Sequence, residues 1–309
     1  MAQVIGRFAP TPSGFMHLGN AFSALLAWLD AKSCGGKILL RIEDLDTDRC
    51  SADKAEQLMR DLTWLGLSWD DGGLTPEYCQ SSRTAYYQKI FDDFNAQGLL
   101  YPCFCSRAER MAADAPHSAD GAVIYSGRCR GLSDAERAKL ASAGKPPAWR
   151  IIAPDEDIAF CDGNLGPYCE NPAVECGDFI IRRSDGVFAY QLAVVADDAA
   201  MGVTHVVRGR DLLSSAPRQI WLHRLLHNKP PQFFHVPLLL AEDGRRLAKR
   251  DGSLALAELR KTYTAEQIIG LLAWWAGLLA EPAAVTPQEL LDGFRWENTA
   301  KADITVRLP

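Results

Sequence analysis

The first 44 residues constrain this chain more than any other stretch. QVIGRF (3–8) suits a short strand, and the APTPSG that follows cannot extend it, because proline brings no ladder donor. From His17 onward Leu18, Phe22, Leu25, Leu26 and Leu29 fall on one helical face, and the run ends at Gly35 and Gly36. KILLRIED (37–44) is then almost continuously apolar, as a buried strand requires. Strand, loop, helix and strand within about 40 residues form the βαβ signature of a nucleotide-binding α/β sheet.

Further along, a helix is predicted from Ser51 as N-cap to near Leu65, and another from about Ser82 to Gln97. Residues 101–148 lose periodicity and gather Pro, Gly, Ser and Cys, which marks an insertion. Hairpins are predicted around Asp185–Gly186 and Asp243–Gly244. Between them the pattern gives a helix near 190–201, the strand THVVRGR and a helix across SAPRQIWLHRLL, and from 254 it is helical to near 279. At 309 residues this is one large domain with an insertion, or two domains. MAQVIGRFAP does not resemble a signal sequence, so none is expected, and the longest apolar block, GLLAWWAGLLA, is shorter than the ~20 residues that span a bilayer. A cytoplasmic protein with no membrane contact is expected, and no heptad or long apolar edge asks for more than a monomer.

Three clusters carry chemistry. The loop before the first helix aims backbone N–H groups and a positive dipole end at its ligand, which suits phosphate. There His17 can donate to a phosphate oxygen, Gly19 leaves room for a purine or ribose, and Asn20 can bond a ribose hydroxyl. RRLAKRDGS (245–253) is a basic loop in which Lys249 and Arg250 could neutralise β and γ phosphates and the charge on departing pyrophosphate. Taken singly, each loop also has a plainer reading as an ordinary solvated turn. Nine cysteines in a chain without an export signal argue for reduced thiols or a metal site. Cys103, Cys105 and Cys129 supply most of a tetrahedral zinc site, for which His117 is chemically the obvious fourth ligand. The formal net charge of −6 excludes a global attraction to nucleic acid, so any such contact rests on local patches such as RRSDG, RGRD and DGRRLAKRD.

HLGN early and RLAKR late resemble the HIGH and KMSKS signatures of class I aminoacyl-tRNA synthetases. RFAPTPSG, RIEDLDTDR and the Y…DD…MGVTHVVRGRDLL segment narrow the resemblance to the glutamyl and glutaminyl branch, over most of residues 3–255. The resemblance implies an α/β fold: a Rossmann-type parallel-sheet catalytic domain (1–253) with a zinc-bearing insertion at about 101–175 and a short C-terminal helical region (254–309). It implies ATP, carried with Mg²⁺, and L-glutamate as substrates. Arg7 and Arg208 would hold carboxylate, Glu43 the ammonium, and Phe8, Ala9, Pro10, Thr11, Ser13 and Tyr190 would shape the pocket. His17, Gly19, Asn20 and Lys249 would hold ATP, with His17, Asn20, Lys249 and Arg250 assisting adenylate formation. Glu43 and Arg41, on a buried strand, could alternatively just pair with neighbours. The family's C-x-C…Y-x3-C pattern points to Tyr125 as the fourth ligand of one structural zinc, with His117 as its rival.

Three features depart from the full-length enzymes of that branch. Residues 254–309 are too few for an anticodon-binding domain and are expected to form a helical, stem-contact-like remnant. Val194 stands where those enzymes usually show asparagine, and Ala248 replaces a hydroxyl residue in the late motif. The truncated pattern resembles a branch that moves glutamate onto the queuosine base of tRNA(Asp), and it implies glutamate activation without tRNA. The competing expectations are a short enzyme charging tRNA(Glu), a non-catalytic binding module of synthetase descent, and a small-molecule ligase or nucleotidyltransferase.

Overall fold

The N-terminal pattern folds into β1 (Ile5–Phe8), α1 (Leu18–Ser33) and β2 (Lys37–Leu40) in a computed structural model that describes residues 3–105, 124–144, 146–245 and 255–308. His17 caps α1: its ring Nδ1 accepts the Gly19 N–H at 3.1 Å, while its own N–H donates to the Asn20 side-chain oxygen at 3.4 Å. Two polar groups of the helix mouth are thereby satisfied reciprocally. β2 ends earlier than its apolar run, because the backbone changes partners. The Arg41 N–H still reaches the Phe8 carbonyl (2.8 Å), but that of Ile42 turns to Tyr78 (2.8 Å) and that of Glu43 to Pro10 (3.0 Å). Glu43 is thus carried to the opening loop.

α2 (Ala52–Trp64) begins after Ser51, whose hydroxyl accepts from the Lys54 N–H, and β3 (Asp71–Gly72) pairs in parallel with β2. After α3 (Thr84–Ala96), β4 (Leu100–Cys103) opens the insertion. There α4 (Asp134–Ser142) forms in a stretch that the sequence reads as an insertion without periodicity. It buries no residue, so it carries no apolar stripe, and only the reciprocal Ser133–Glu136 cap announces it. β4 pairs antiparallel with β5 (Ala148–Ile151). β6 (Ile158–Asp162) and β7 (Gly166–Glu170) form a hairpin, followed by the single turn α5 (Pro172–Glu175) and by β8 (Phe179–Arg182), which joins β5.

The turn at Asp185–Gly186 returns only one bridge, Arg182 to Phe188, before α6 (Tyr190–Ala200) begins. β9 (His205–Gly209) and α7 (Ala216–Leu225) follow as the periodicity predicts, and β10 (Gln232–Val236), which the sequence had not singled out, comes after them. β11 (Leu239–Leu240) leads into the turn at Asp243–Gly244, where the Ala241 N–H reaches the Arg245 carbonyl at 2.7 Å. The tail differs from a continuous helix. It breaks into α8 (Leu256–Leu259) and α9 (Ala265–Trp275), continues without a regular helix beyond two short turns, and ends in β12 (Ile304–Thr305), which pairs in parallel with β11.

The two parallel pieces, β3–β2–β1 and β9–β10, lie side by side. The Thr204 N–H donates to the Ile5 carbonyl (2.9 Å), and Arg7 Nη1 to the Val207 carbonyl (3.2 Å). Strand order therefore reverses between β1 and β9, the position where open α/β sheets bind ligands beyond their strand ends. One apolar core joins α1, β2, α8 and α9; a second joins α3, β8, α6 and β10. Among the described residues no helix is long and apolar enough to cross a membrane.

Candidate active site

A cavity of about 470 Å³ opens at this switch point, within the usual size of small-molecule sites. Arg7, Phe8, Ala9, Pro10, Thr11, Ser13, His17, Gly19, Asn20, Glu43, Tyr190 and Arg208 all line it, so residues up to 201 positions apart in sequence meet there. Because His17 Nδ1 accepts from the Gly19 N–H, the neutral ring carries its proton on Nε2, a donor suited to phosphate. Gly19 must stay small: a Cβ there would lie 3.1 Å from the His17 ring.

The charges behind the cavity form two unequal arrangements. Arg41 is fully buried and gathers Asp198 (2.6 Å), Glu43 (3.1 Å) and Asp197 (3.9 Å). Burial raises the Glu43 carboxyl above its ordinary range despite Arg41 and Arg7. Burial also opposes the Asp198 charge, yet Arg41 and Arg7 hold its carboxyl below the ordinary range. Arg7 Nε stands 3.7 Å from Asp198. Arg208 is held differently: Nε donates to His235 Nε2 (3.0 Å), Nη1 to Gln219 Oε1 (2.7 Å) and Nη2 to the Leu212 carbonyl (3.1 Å). All three acceptors are neutral, and among the described residues no carboxylate forms an ion pair with Arg208. Burial accordingly pushes its guanidinium below the usual range. A buried cation that forms no ion pair among the described residues faces the cavity, an arrangement suited to an anionic ligand.

Lys249, Arg250 and Ala248 lie outside the described residues, as does His117. The chain beyond the late motif returns to the early one: Ala255 bridges His17, and the Leu256 N–H donates to the Met16 carbonyl at 2.9 Å. The sequence had singled out neither Gln219, His235 nor Asp162, which contacts His235, because nothing in their spacing ties them to Arg208.

The three cysteines of the insertion also meet. Their sulfurs lie within 4.8 Å of one another and could hold a metal ion. Cys105 and Cys129 are 3.5 Å apart, and the Tyr125 hydroxyl is 3.5 Å from Cys103 and 3.8 Å from Cys105. With Zn–S bonds of about 2.3 Å, the edge of a tetrahedron is ~3.8 Å, close to these three separations. Arg150 lies 3.6 Å from the centroid of the Tyr125 ring and donates to Cys103 at 3.3 Å. Burial opposes ionisation of Cys103, but Tyr125 and Arg150 bring its thiol below the usual range; burial, with Cys129 and Cys103 beside it, pushes Cys105 up to about 12.

A family model described as the catalytic domain of class I tRNA synthetases (E and Q) matches residues 3–270. A glutamyl-Q tRNA(Asp) synthetase of Symbiobacterium thermophilum is 52% identical over 94% of this chain and 91% of its own length. One from Nitratidesulfovibrio vulgaris is 49% identical over 92% and 90%. The crystal structure of a glutamate tRNA ligase from Elizabethkingia meningosepticum, in complex with its amino acid, superposes with a TM-score of 0.82 at 28% identity, covering 98% of this chain and 67% of that one. The switch-point cavity, the capped His17 loop and these similarities have one common origin: the chain belongs to the glutamyl and glutaminyl branch of the class I aminoacyl-tRNA synthetases, among the glutamyl-Q tRNA(Asp) synthetases.

Proposed function

We propose that the chain activates L-glutamate with ATP and transfers it to the queuosine base of tRNA(Asp). The observation that carries the amino-acid half is the buried Arg208, which forms no ion pair with a carboxylate among the described residues, sharing one cavity with Arg7, Glu43 and Tyr190 beneath the N-terminus of α1. The names of the relatives carry the RNA half. Arg7 and Arg208 take carboxylate and Glu43 takes the ammonium, while Phe8, Ala9, Pro10, Thr11, Ser13 and Tyr190 close around the substrate. His17, Gly19 and Asn20 receive ATP, which brings Mg²⁺ with it, and Lys249 and Arg250 from the late loop offset the charge of the leaving pyrophosphate. An oxygen of the glutamate α-carboxylate attacks the α-phosphorus, and the bond to pyrophosphate breaks with its electron pair. A hydroxyl of the queuosine cyclopentenediol then attacks the adenylate carbonyl, loses its proton, and AMP leaves. Positioning and charge stabilisation suffice, and no protein nucleophile is needed.

Residues 1–253 are read as the catalytic unit and 254–309 as a short region packed on it, in a cytoplasmic monomer. Glutamate-dependent ATP–pyrophosphate exchange is expected without any RNA, followed by transfer to tRNA(Asp) that carries queuosine and not to the same RNA lacking it. Silence in exchange at millimolar glutamate overturns the activation step. Charging of tRNA(Glu) at its 3′ end favours the short glutamyl-tRNA synthetase instead.

The insertion is read as a structural zinc site, with Cys103, Cys105, Cys129 and Tyr125 as ligands. Such an ion pins a segment too polar to form its own core. Elemental analysis is expected to give one zinc per chain, and Cys105→Ser to remove it and lower the melting temperature. A protein free of zinc as purified, with an unchanged melting point in Cys105→Ser, contradicts the assignment.

A further inference from the structure

Arg208 is only as well aimed as the groups that hold it, and one of those groups has its proton placed from elsewhere. Asp162, at the end of β6, is buried, and its Oδ1 accepts the backbone N–H groups of Asn164 (3.0 Å), Leu165 (2.9 Å) and His235 (3.1 Å). Its Oδ2 lies 2.6 Å from His235 Nδ1. Gly163 permits this approach, since a Cβ there would fall 2.0 Å from the Phe234 ring. A carboxylate can only accept, so His235 Nδ1 carries the proton. Nε2 then presents its lone pair to the Arg208 Nε–H, 3.0 Å away. Protonated on both nitrogens, or on Nε2 alone, the ring would set one donor against another. Burial, together with the Arg208 charge, keeps the ring neutral, against the pull of Asp162.

We infer that Asp162 and His235 are positioning residues that fix the imidazole tautomer, and through it orient the Arg208 guanidinium toward an acidic amino acid. The inference rests on the reading of Arg208 as a carboxylate holder. It adds a determinant of substrate affinity that lies in the β6–β7 hairpin, away from the cavity lining. Because His235, Gln219 and the Leu212 carbonyl are all neutral, the guanidinium is immobilised without being neutralised. Its charge remains available for the substrate.

Asp162→Asn tests this at constant shape. The amide oxygen stays with the backbone donors, and the amide N–H then points at His235 Nδ1. The ring proton is driven to Nε2, where it opposes the Arg208 Nε–H. The KM for glutamate in ATP–pyrophosphate exchange is expected to rise roughly 10- to 100-fold, as for other carboxylates that orient a histidine, with the KM for ATP unchanged. In His235→Gln, a carboxamide oxygen can accept from Arg208 without Asp162, so adding Asp162→Asn there should not raise the glutamate KM further. An unchanged glutamate KM in Asp162→Asn, or an equal rise for ATP, overturns the inference.

Long-range ¹H–¹⁵N spectra of the parent protein give a test that does not depend on the variant folding. The chain has six histidines, and the resonance lost in His235→Gln should report the Nδ1–H tautomer. An Nε2–H tautomer overturns the relay. If the parent protein shows no glutamate-dependent exchange while the spectrum reports Nδ1–H, the carboxylate reading fails and the hydrogen-bonded pair survives it.

Discussion

Replacing Arg41 by methionine is expected to destabilise the fold by about 3–5 kcal/mol, a large part of the ~5–15 kcal/mol that holds a typical protein together. The side chain is fully buried and touches three carboxylates, with Asp198 at 2.6 Å and Glu43 at 3.1 Å. Burial works against its charge, but Asp198, Glu43 and Asp197 more than compensate and hold it protonated. Methionine fills similar space but takes from Glu43 its ion-pair partner and from Asp198 its nearest cation, leaving Asp198 with Arg7 at 3.7 Å and Asp197 with Arg83 at 2.6 Å. The pH dependence follows from the directions of the shifts. Asp198 has a lowered carboxyl in the fold, so its stabilising share is present above the ordinary aspartate range and is lost as pH falls through its folded value. Without Arg41 only the part of that share that Arg7 supplies remains, and protonation relieves the repulsion. Glu43 is raised by burial, so its ionisation already works against folding as pH climbs above the ordinary glutamate range, and removing Arg41 deepens that cost. Urea unfolding should therefore show a deficit that is largest near neutral pH and narrows as the pH approaches the carboxylate range. Equal midpoints for Arg41→Met and its parent at pH 7 would show that the acids find another partner.

The βαβ unit was legible because its signals are local. An apolar stripe, a polar cap and two glycines lie within one short window, and the structure places α1 at Leu18–Ser33 with His17 as its cap. The cysteine cluster was legible for the same reason, since a C-x-C pair needs only one returning loop. α4 was not, because an exposed helix leaves no hydrophobic period. The β11–β12 pair was not, because two-residue strands have no alternation to read. The site divides along the same line. Residues of the opening loop came from local pattern and resemblance, while Asp162 and His235, 73 positions apart, carry no mark of their meeting. Asp162 sits in a DGN turn and His235 in an apolar strand, and each looks ordinary until β6 packs beside β10. Arg41 was visible as a charge on a buried strand, but the acids that surround it come partly from α6, more than 150 residues later.

Replacing Arg208 by glutamine is expected to lower kcat/KM for glutamate about 1,000-fold, equivalent to ~4 kcal/mol of lost interaction with a buried charge. The physical reason is the missing counter-ion. Arg7 already has Asp198 at 3.7 Å, so part of its charge is spoken for. Arg208 has neutral acceptors in His235, Gln219 and a carbonyl and, among the described residues, no ion-paired carboxylate, so a bound carboxylate is expected to complete it. Of the two carboxylates of glutamate, the α-carboxylate loses its negative charge when it becomes the adenylate. The side-chain carboxylate keeps its charge through activation and transfer, so it is the better match for a cation that must stay compensated throughout. Glutamine has the shape but not the charge and leaves the guanidinium buried and unpaired, which makes Arg208 the main source of discrimination between the two amino acids. In Arg208→Gln that discrimination should shrink, because activity with glutamate falls steeply while the little activity with glutamine does not fall with it. Exchange assays with both amino acids measure the ratio directly. A glutamate kcat/KM within about tenfold of the parent, or an unchanged ratio, would mean that the substrate carboxylate is held by Arg7 and that Arg208 serves only the packing behind it.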